Sequence, residues 1–151
     1  MKKINWKVLI LSFIAVFVVA AIGSSVTTIG AWYESIKPSI TPPNFVFPIA
    51  WTTLFILIAI SLYFAWTSSN KKEKKNIAVV YGANFVLNIT WSALFFSLQN
   101  TKAAFVDIIF LWFSIVAMII VAWKADKRAS LMLVPYLAWV SFATLLNFLA
   151  I

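Results

Sequence analysis

The sequence predicts an all-α integral membrane protein, built as a bundle of five transmembrane helices. Of the 151 residues, 64% are hydrophobic and only 11% are charged, whereas soluble domains are about half apolar and a quarter charged. Five long apolar segments follow one another along the chain, and short basic runs lie between them. These observations together favour helices in a bilayer over a soluble architecture.

Each apolar segment is close to the length that crosses a bilayer as an α-helix, about 20 residues. A chain in lipid must satisfy its own backbone hydrogen bonds, so uninterrupted apolar segments of this length are expected to be helices. The segments lie at about 8–29, 45–66, 77–98, 104–123 and 130–151. The connections between them are 30–44, 67–76, 99–103 and 124–129. Because the chain shows no internal repeat, we expect one domain over 1–151.

The first segment has a second interpretation, as a secretory signal peptide. Its start is basic, its centre is apolar, and Val19 and Ala21 have the spacing of a cleavage site. The apolar run continues past Ala21 to Ile29, however, which suits a membrane helix better. We therefore expect a first transmembrane helix here.

The basic residues predict the orientation of the bundle. If the connections alternate between the two sides, ten of the twelve Lys and Arg residues share the side of the N-terminus, and only Lys37 and Lys102 face the other. By the positive-inside rule the N-terminus is cytoplasmic, and the first loop and the C-terminus lie outside. The ten residues are Lys2, Lys3, Lys7, Lys71, Lys72, Lys74, Lys75, Lys124, Lys127 and Arg128. This pattern explains the net charge of +8 without a nucleic-acid partner.

The composition excludes much of the usual chemistry of active sites. The chain has no histidine and no cysteine, so the commonest general base, the commonest metal ligand and any thiolate are missing. We expect no metal site and no cofactor. Asp107 is the one acid within a predicted membrane segment, and we interpret it as an acid near a helix N-terminus with Lys102 nearby. No charge falls at mid-membrane, which argues against a proton relay.

Polar and aromatic side chains recur at helical spacing inside three of the segments. Steps of three and four place each set on one helix face. With the predicted orientation, Trp51, Asn88, Trp91 and Asn147 lie at mid-depth or in the outer half of the membrane, beneath the first loop. Together they describe a pocket for a flat apolar ligand with a few polar edges. The alternative, that the Asn residues only bond neighbouring helices and the Trp residues only pack, stays open. The candidates are Phe47, Trp51, Asn84, Asn88, Trp91, Tyr136, Trp139, Ala143 and Asn147.

The loop at 30–44 is unusually rigid. The stretch from Trp32 to Trp51 holds four of the five prolines and two of the eight tryptophans. Proline fixes φ and reduces the freedom of the chain. We therefore expect an ordered lid over the pocket, with Trp51 in the pocket wall.

These motifs resemble the translocator protein family, also called TspO or the peripheral benzodiazepine receptor. The resemblance runs in order from the first loop to the last segment, and two blocks are specific: Trp-Tyr, Lys-Pro and Thr-Pro-Pro in the loop, and Pro-Tyr-Leu-Ala-Trp near the end. The matching residues are Trp32, Tyr33, Lys37, Pro38, Thr41, Pro42, Pro43, Phe47, Pro48, Trp51, Thr52, Leu87, Asn88, Trp91, Phe95, Phe96, Asp107, Pro135, Tyr136, Leu137, Ala138, Trp139, Phe142, Ala143, Leu146 and Asn147.

The resemblance implies a bacterial cytoplasmic membrane protein, usually a homodimer, whose five helices bind porphyrins such as protoporphyrin IX. It also implies binding of other flat hydrophobic ligands, including benzodiazepine-site drugs. Carried over position by position, the pocket gains Trp32 and Tyr33. The implied pocket is Trp32, Tyr33, Phe47, Trp51, Asn84, Asn88, Trp91, Tyr136, Trp139, Ala143 and Asn147.

The resemblance leaves two alternatives to simple binding. One is light- or oxygen-dependent breakdown of porphyrin, for which Trp51 and Trp139 would be the catalytic residues. The other is small-molecule transport, which the missing mid-membrane charges and the missing inverted repeat disfavour. The family's cholesterol motif lacks its basic end here, since no basic residue follows Phe148. Without His or Cys, we expect a tetrapyrrole to be held by stacking and amide hydrogen bonds and not through iron.

Overall fold

A computed structural model describes residues 3–151, so Met1 and Lys2 of the predicted basic side lie outside the described residues. Within that range, five helical stretches are long and apolar enough to cross a membrane. The prediction of an all-α integral membrane protein with five transmembrane helices is confirmed. The spans are Trp6–Ser25, Val46–Thr67, Lys71–Ser97, Thr101–Ala125 and Lys127–Leu149.

The described chain forms seven α-helices and one π-helical turn, and all of them except the second helix lie within the spans. The π-helical turn, Ala93–Ser97, continues the third span directly. The fifth span is two helices joined by a turn, because Pro135 has no N–H to bond the carbonyl of Leu131, where the first of the two ends. In chain order the helices are α1 (Trp6–Ser25), α2 (Ala31–Ile36), α3 (Val46–Thr67), α4 (Lys71–Ser92), α5 (Thr101–Ala125), α6 (Lys127–Leu131) and α7 (Val134–Leu149).

Helix α4 begins at Lys71 and not at 77, so the predicted connection 67–76 is much shorter than expected. The start is set by a capping box: the Asn70 side chain accepts hydrogen bonds from the backbone of Lys72 and Glu73, each 3.0 Å long. The Glu73 carboxylate in turn accepts from the Asn70 N–H at 2.9 Å. These bonds satisfy the free donors of the first turn, which is helical although it is strongly basic.

Helix α1 ends at Ser25, before the predicted boundary at 29. Two hydroxyls near this end bond carbonyls of the last turns: Ser25 donates to Ile22 at 2.7 Å, and Thr27 donates to Gly23 at 2.8 Å. Such bonds satisfy carbonyls that lack helical partners. The loop that follows is not entirely irregular, because it contains the short helix α2.

One end of the bundle gathers nearly all of the basic residues, and we call it the basic end. The starts of α1, α4 and α6 lie here with the ends of α3 and α5: the Asn5 N–H donates to the Tyr63 hydroxyl at 3.2 Å, and Ser68 donates to the Asp126 carboxylate at 3.2 Å. The described basic residues at this end are Lys3, Lys7, Lys71, Lys72, Lys74, Lys75, Lys124, Lys127 and Arg128.

The opposite end carries α2 and the rest of the first loop, and we call it the lid end. The Ser97 hydroxyl donates to the carbonyl of Val26 at 2.7 Å, which joins the π-helical turn to the end of α1. The Asn147 amide donates to the carbonyl of Thr101 at 2.9 Å, which joins the end of α7 to the start of α5. Successive long helices are therefore antiparallel.

A buried hydrogen-bond chain holds the basic half of the bundle together. The Ser61 hydroxyl donates to the carbonyl of Ala129 at 2.7 Å and lies 2.7 Å from the Tyr81 hydroxyl. Because Ser61 uses its proton on Ala129, Tyr81 is the donor to Ser61. The chain links α3, α4 and α6, and Tyr81 and Ser61 are almost fully buried.

Replacement of Ser61 by alanine should destabilise the protein by about 1–3 kcal/mol, because the Tyr81 hydroxyl and the Ala129 carbonyl would both be buried without a partner. Thermal unfolding in detergent micelles measures the effect. Thr67→Ala is the matched control: the Thr67 hydroxyl is exposed and bonds only its own helix, through Tyr63, so the change should stay within about 0.5 kcal/mol. Equal effects of the two substitutions would contradict the assigned role of Ser61.

Candidate ligand-binding site

The first loop folds into a short helix and a braced turn. The Glu34 carboxylate accepts a hydrogen bond from the Asn44 amide at 2.9 Å and forms an ion pair with Lys37. These contacts join α2 to the residues just before α3. Burial raises the pKa of the Tyr33 hydroxyl, and the nearby charge of Glu34 adds to the shift, so Tyr33 is neutral at physiological pH. We call residues 30–45 the lid.

The lid rests on two consecutive phenylalanines. Trp32 meets Phe95 edge to face, with ring centroids 5.7 Å apart, and Tyr33 lies 5.7 Å from Phe96. Neighbours on a regular α-helix point about 100° apart, but Phe95 and Phe96 belong to the π-helical turn, where the extra residue alters the helical repeat. The turn lets both rings support the lid. Trp91 extends the same cluster, since it stacks on Phe95 at 5.3 Å.

Tyr136 is at the centre of a hydrogen-bond network beneath the lid. Its hydroxyl accepts from the Asn88 amide at 3.2 Å and donates to the Asn84 carbonyl oxygen at 3.2 Å. The Asn84 amide donates onward to the Ser114 hydroxyl at 2.8 Å. Tyr136 has no exposed surface, and both asparagines are buried. The network ties α4, α5 and α7 together and satisfies polar groups that lipid could not.

A second polar connection lies closer to the lid. The Trp91 indole N–H donates to the Asn147 carbonyl oxygen at 3.0 Å, while the Asn147 amide donates to the backbone of Thr101. Asn147 is 1% exposed. Trp91 is thus held by a hydrogen bond on its indole edge and by Phe95 against its ring face, which fixes its orientation.

The remaining candidates form a wall along α3 and α7. Trp51 packs against Phe55 at 5.5 Å and meets Tyr136 edge to face at 6.2 Å. Phe47 meets Trp139 edge to face at 5.8 Å. The Trp139 indole nitrogen is buried, and no acceptor within residues 3–151 lies at hydrogen-bond distance from it.

Trp139 also lines a groove between α3 and α7 with a volume of about 460 Å³. Its other walls are apolar except for one hydroxyl, that of Thr53. The lining residues are Ala50, Thr53, Leu54, Pro135, Ala138, Trp139 and Phe142.

The structure brings the predicted residues into one continuous region at the lid end. Trp32 and Tyr33 belong to the lid, Phe47 and Trp51 to α3, three residues to α4, and four to α7. Ala143 is partly buried and packs against the core one turn after Trp139, without a polar contact. The role of the predicted residues in binding stays a prediction.

Phe95, Phe96 and Ser114 complete the region but were not predicted as site residues, because sequence spacing reveals neither a π-helical turn nor an interhelical partner.

The interpretation of Asp107 as a helix-terminal acid beside Lys102 is wrong. Asp107 lies beyond the first turn of α5, on the buried face that it shares with Ala104 and Ile108, and is 8% exposed. Within the described part of the chain it forms no ion pair, and its Oδ2 atom has no hydrogen-bond donor. Position in the sequence suggested an acid at a helix end; the rotation of α5 directs it into the bundle instead.

Five membrane-spanning helices with an aromatic and amide-rich region at one end define an integral membrane protein with a candidate ligand site. Residues 11–150 match the TspO/MBR family. The chain is 44% identical to the tryptophan-rich protein TspO of Chlorobaculum tepidum, over 78% of this chain and 77% of the relative. It is 41% identical to the protein of the same name from Archaeoglobus fulgidus, over 93% and 92%. Human translocator protein is 29% identical over 78% and 71%. The chain belongs to the TspO/MBR family.

The lid should loosen at acid pH. The hydrogen bond from Lys37, followed by that from Asn44, lowers the pKa of Glu34 in the folded lid below its ordinary value of 4.5. A carboxylate with a lowered folded pKa stabilises the lid above pH 4.5, and this stabilisation disappears as the pH falls through the lowered value. Hydrogen exchange of residues 31–44, compared with Glu34→Gln at each pH, measures the effect. The wild type should be better protected than the variant at neutral pH, and the two should become equal as the pH falls through the lowered pKa of Glu34. A difference that does not shrink on acidification would contradict this account.

Proposed function

We propose that the protein binds porphyrins, such as protoporphyrin IX, and other flat hydrophobic molecules at the lid end of the bundle. The observation that carries the proposal is the continuity of the site: indole and phenyl rings from the lid, α3, α4 and α7 surround a few fixed amide and hydroxyl groups. Flat apolar ligands with polar edges suit such a lining. Family membership supports the same ligand class.

The aromatic wall suits a ligand with a large π-face. Trp51 and Phe47 are only partly buried, so their rings retain free edges and faces. Offset and edge-to-face contacts stabilise aromatic pairs beyond the burial of apolar area. The unsatisfied indole N–H of Trp139 suits a hydrogen-bond acceptor on the ligand, such as a carboxylate at the edge of the ring. The wall therefore supports stacking combined with one directional bond.

Iron ligation is not part of this proposal. The Tyr136 ring contacts Trp51 of the aromatic wall, and its hydroxyl is buried between Asn84 and Asn88 with both of its hydrogen bonds formed. Ligation of iron would break this network and leave two buried amides without their partner. Free-base and iron porphyrins should therefore bind by the same contacts.

The lid would act as a closure over the bound ligand. Trp32 and Tyr33 contact the rings of Phe95 and Phe96, so a ligand that enters from this end must replace those ring contacts with its own. The closed lid and the ligand compete for the same aromatic surface. Once a ligand covers that surface, the lid would close against the ligand in place of Phe95 and Phe96.

Replacement of Trp51 by alanine should weaken protoporphyrin IX binding about tenfold or more, because one wall of the site loses its stacking ring. An absorbance and fluorescence-quenching titration of purified protein gives the dissociation constant. Trp51→Phe should keep most of the affinity. Trp123→Ala is the matched control, since Trp123 is half exposed at the basic end, and should bind as the wild type does. Equal affinities of Trp51→Ala and Trp123→Ala would overturn the proposed site.

The same titration tests the absence of iron ligation. Haem and the free-base porphyrin should bind with similar affinity, and Tyr136→Phe should leave the spectrum of bound haem unchanged. A shift of the haem band that Tyr136→Phe abolishes would contradict the proposal. The alternative, enzymatic breakdown of porphyrin, makes a different prediction. The porphyrin spectrum would then disappear only when the protein is present. Trp51→Phe and Trp139→Phe would stop this disappearance while still binding the porphyrin.

We propose further that the protein lies in a bacterial cytoplasmic membrane with its N-terminus and basic end in the cytoplasm and its lid and C-terminus outside. The grouping of the basic residues at one end supports this orientation. The chain has no cysteine, so single cysteines can report it. Ser39→Cys in the lid should react with a membrane-impermeant maleimide in intact cells, and Thr67→Cys only after lysis. The reverse pattern would invert the topology.

A further inference from the structure

A second groove lies far from the lid, between α1, α3 and α4 in the basic half of the bundle. It has a volume of about 390 Å³ and mostly apolar walls, which include Leu11, Leu62, Trp66 and Phe85. Its floor on α4 is formed by small residues one turn apart, Ala78 and Gly82. A Cβ atom added at Gly82 would meet no atom of the chain within 4 Å, so the floor is open.

The groove opens on the side of the helix bundle, where lipid or another membrane-embedded molecule can reach it. All of its walls belong to three of the membrane-spanning helices. Trp66 lies next to the end of α3, at the level of the membrane interface, and the other lining residues continue from there towards the middle of the bundle. The groove therefore runs along the membrane normal from the interface inwards, as an acyl chain does.

Cations surround the interfacial mouth of the groove. The Lys74 ammonium lies over the Trp66 ring, 5.8 Å from its centroid. Lys71 and Lys75 are exposed, and they precede Ala78 and Gly82 on the same stripe of α4 at steps of three and four. Lys7 precedes Leu11 by one turn on α1. Four basic side chains thus lie at the end of an apolar channel.

Glu73, which directly precedes Lys74 on α4, does not neutralise the mouth by an ion pair. Glu73 caps its own helix, where its carboxylate accepts from the Asn70 N–H at 2.9 Å, and it forms no salt bridge within residues 3–151. The mouth therefore keeps a net positive charge, which suits an anion.

We propose that this groove binds an anionic phospholipid of the bilayer, with one acyl chain along Ala78 and Gly82 and the phosphate among Lys7, Lys71, Lys74 and Lys75. Basic pockets between transmembrane helices recognise anionic headgroups in this way. The site is separate from the lid-end site and does not depend on its ligand.

A second copy of the chain is the other occupant to consider, because small residues one turn apart permit close helix approach. A closed two-fold dimer brings the same patch of each copy together. In such a dimer, Lys71, Lys74 and Lys75 of one copy would face the same three lysines of the other copy at the same depth. These like charges would repel one another. An anionic lipid instead places a negative charge against the cations, so the charges favour the lipid.

The test is the retention of phosphatidylglycerol by the full-length protein in neutral detergent, compared with phosphatidylcholine of the same acyl chains. Native mass spectrometry should show one phosphatidylglycerol per protomer, and the melting temperature should rise with phosphatidylglycerol but not with phosphatidylcholine. Lys71→Gln combined with Lys74→Gln should weaken this binding about tenfold or more. Lys124→Gln with Lys127→Gln removes the same charge from the same end, away from the groove, and should have little effect.

A second variant separates the groove from its charged mouth. Gly82→Leu fills the floor, where the added side chain meets open space, and should abolish retention of phosphatidylglycerol while all four lysines remain. Equal effects of the two lysine pairs would mean that the basic end attracts anionic lipid without a specific site, and would overturn the proposal. Equal stabilisation by glycerol phosphate, which has no acyl chain, would also overturn it. If Gly82→Leu converts a dimer to a monomer and leaves lipid retention unchanged, the groove belongs to a second copy of the chain.

Discussion

The buried hydroxyl of Tyr136 is the interaction on which the lid end depends. In a bilayer no water replaces a lost partner, so a buried polar group must be bonded within the protein. Tyr136 bonds Asn84 and Asn88 together, and Asn84 continues to Ser114, so one network sets the relative positions of α4, α5 and α7. The ring of the same tyrosine meets Trp51 edge to face. Tyr136 therefore both fixes the positions of the helices and contacts the aromatic wall.

The lid follows from this arrangement through the π-helical turn at the end of α4. The amide network holds α4 in place, and the turn after it directs Phe95 and Phe96 together towards the loop. Trp32 then contacts Phe95, and Tyr33 contacts Phe96. The loop needs little contact with the rest of the bundle, because proline rigidity and the bonds of Glu34 already limit its conformations.

The two ends of the bundle differ in chemistry for a physical reason. At the lid end, neutral amides and indoles sit among aromatic rings, an environment that suits an uncharged π-face with polar edges. At the basic end, lysines surround an apolar groove that opens to lipid, an environment that suits an anionic headgroup with an acyl chain. Between them, the chain of Tyr81, Ser61 and Ala129 keeps the basic half closed.

The sequence alone determined the class of fold and the helix faces of the site, because hydrophobic length and helical spacing are local properties of the chain. Asn84 with Asn88, and Tyr136 with Trp139 and Asn147, could be placed on shared faces in this way. Local signals also misplaced the start of α4, where the cap formed by Asn70 and Glu73 outweighs the basic composition. Only the tertiary structure decided which groups meet: Ser114 as the partner of Asn84, the paired rings of Phe95 and Phe96, and the burial of Asp107. Those outcomes depend on helix rotation and register, which arise from packing between segments distant in the sequence.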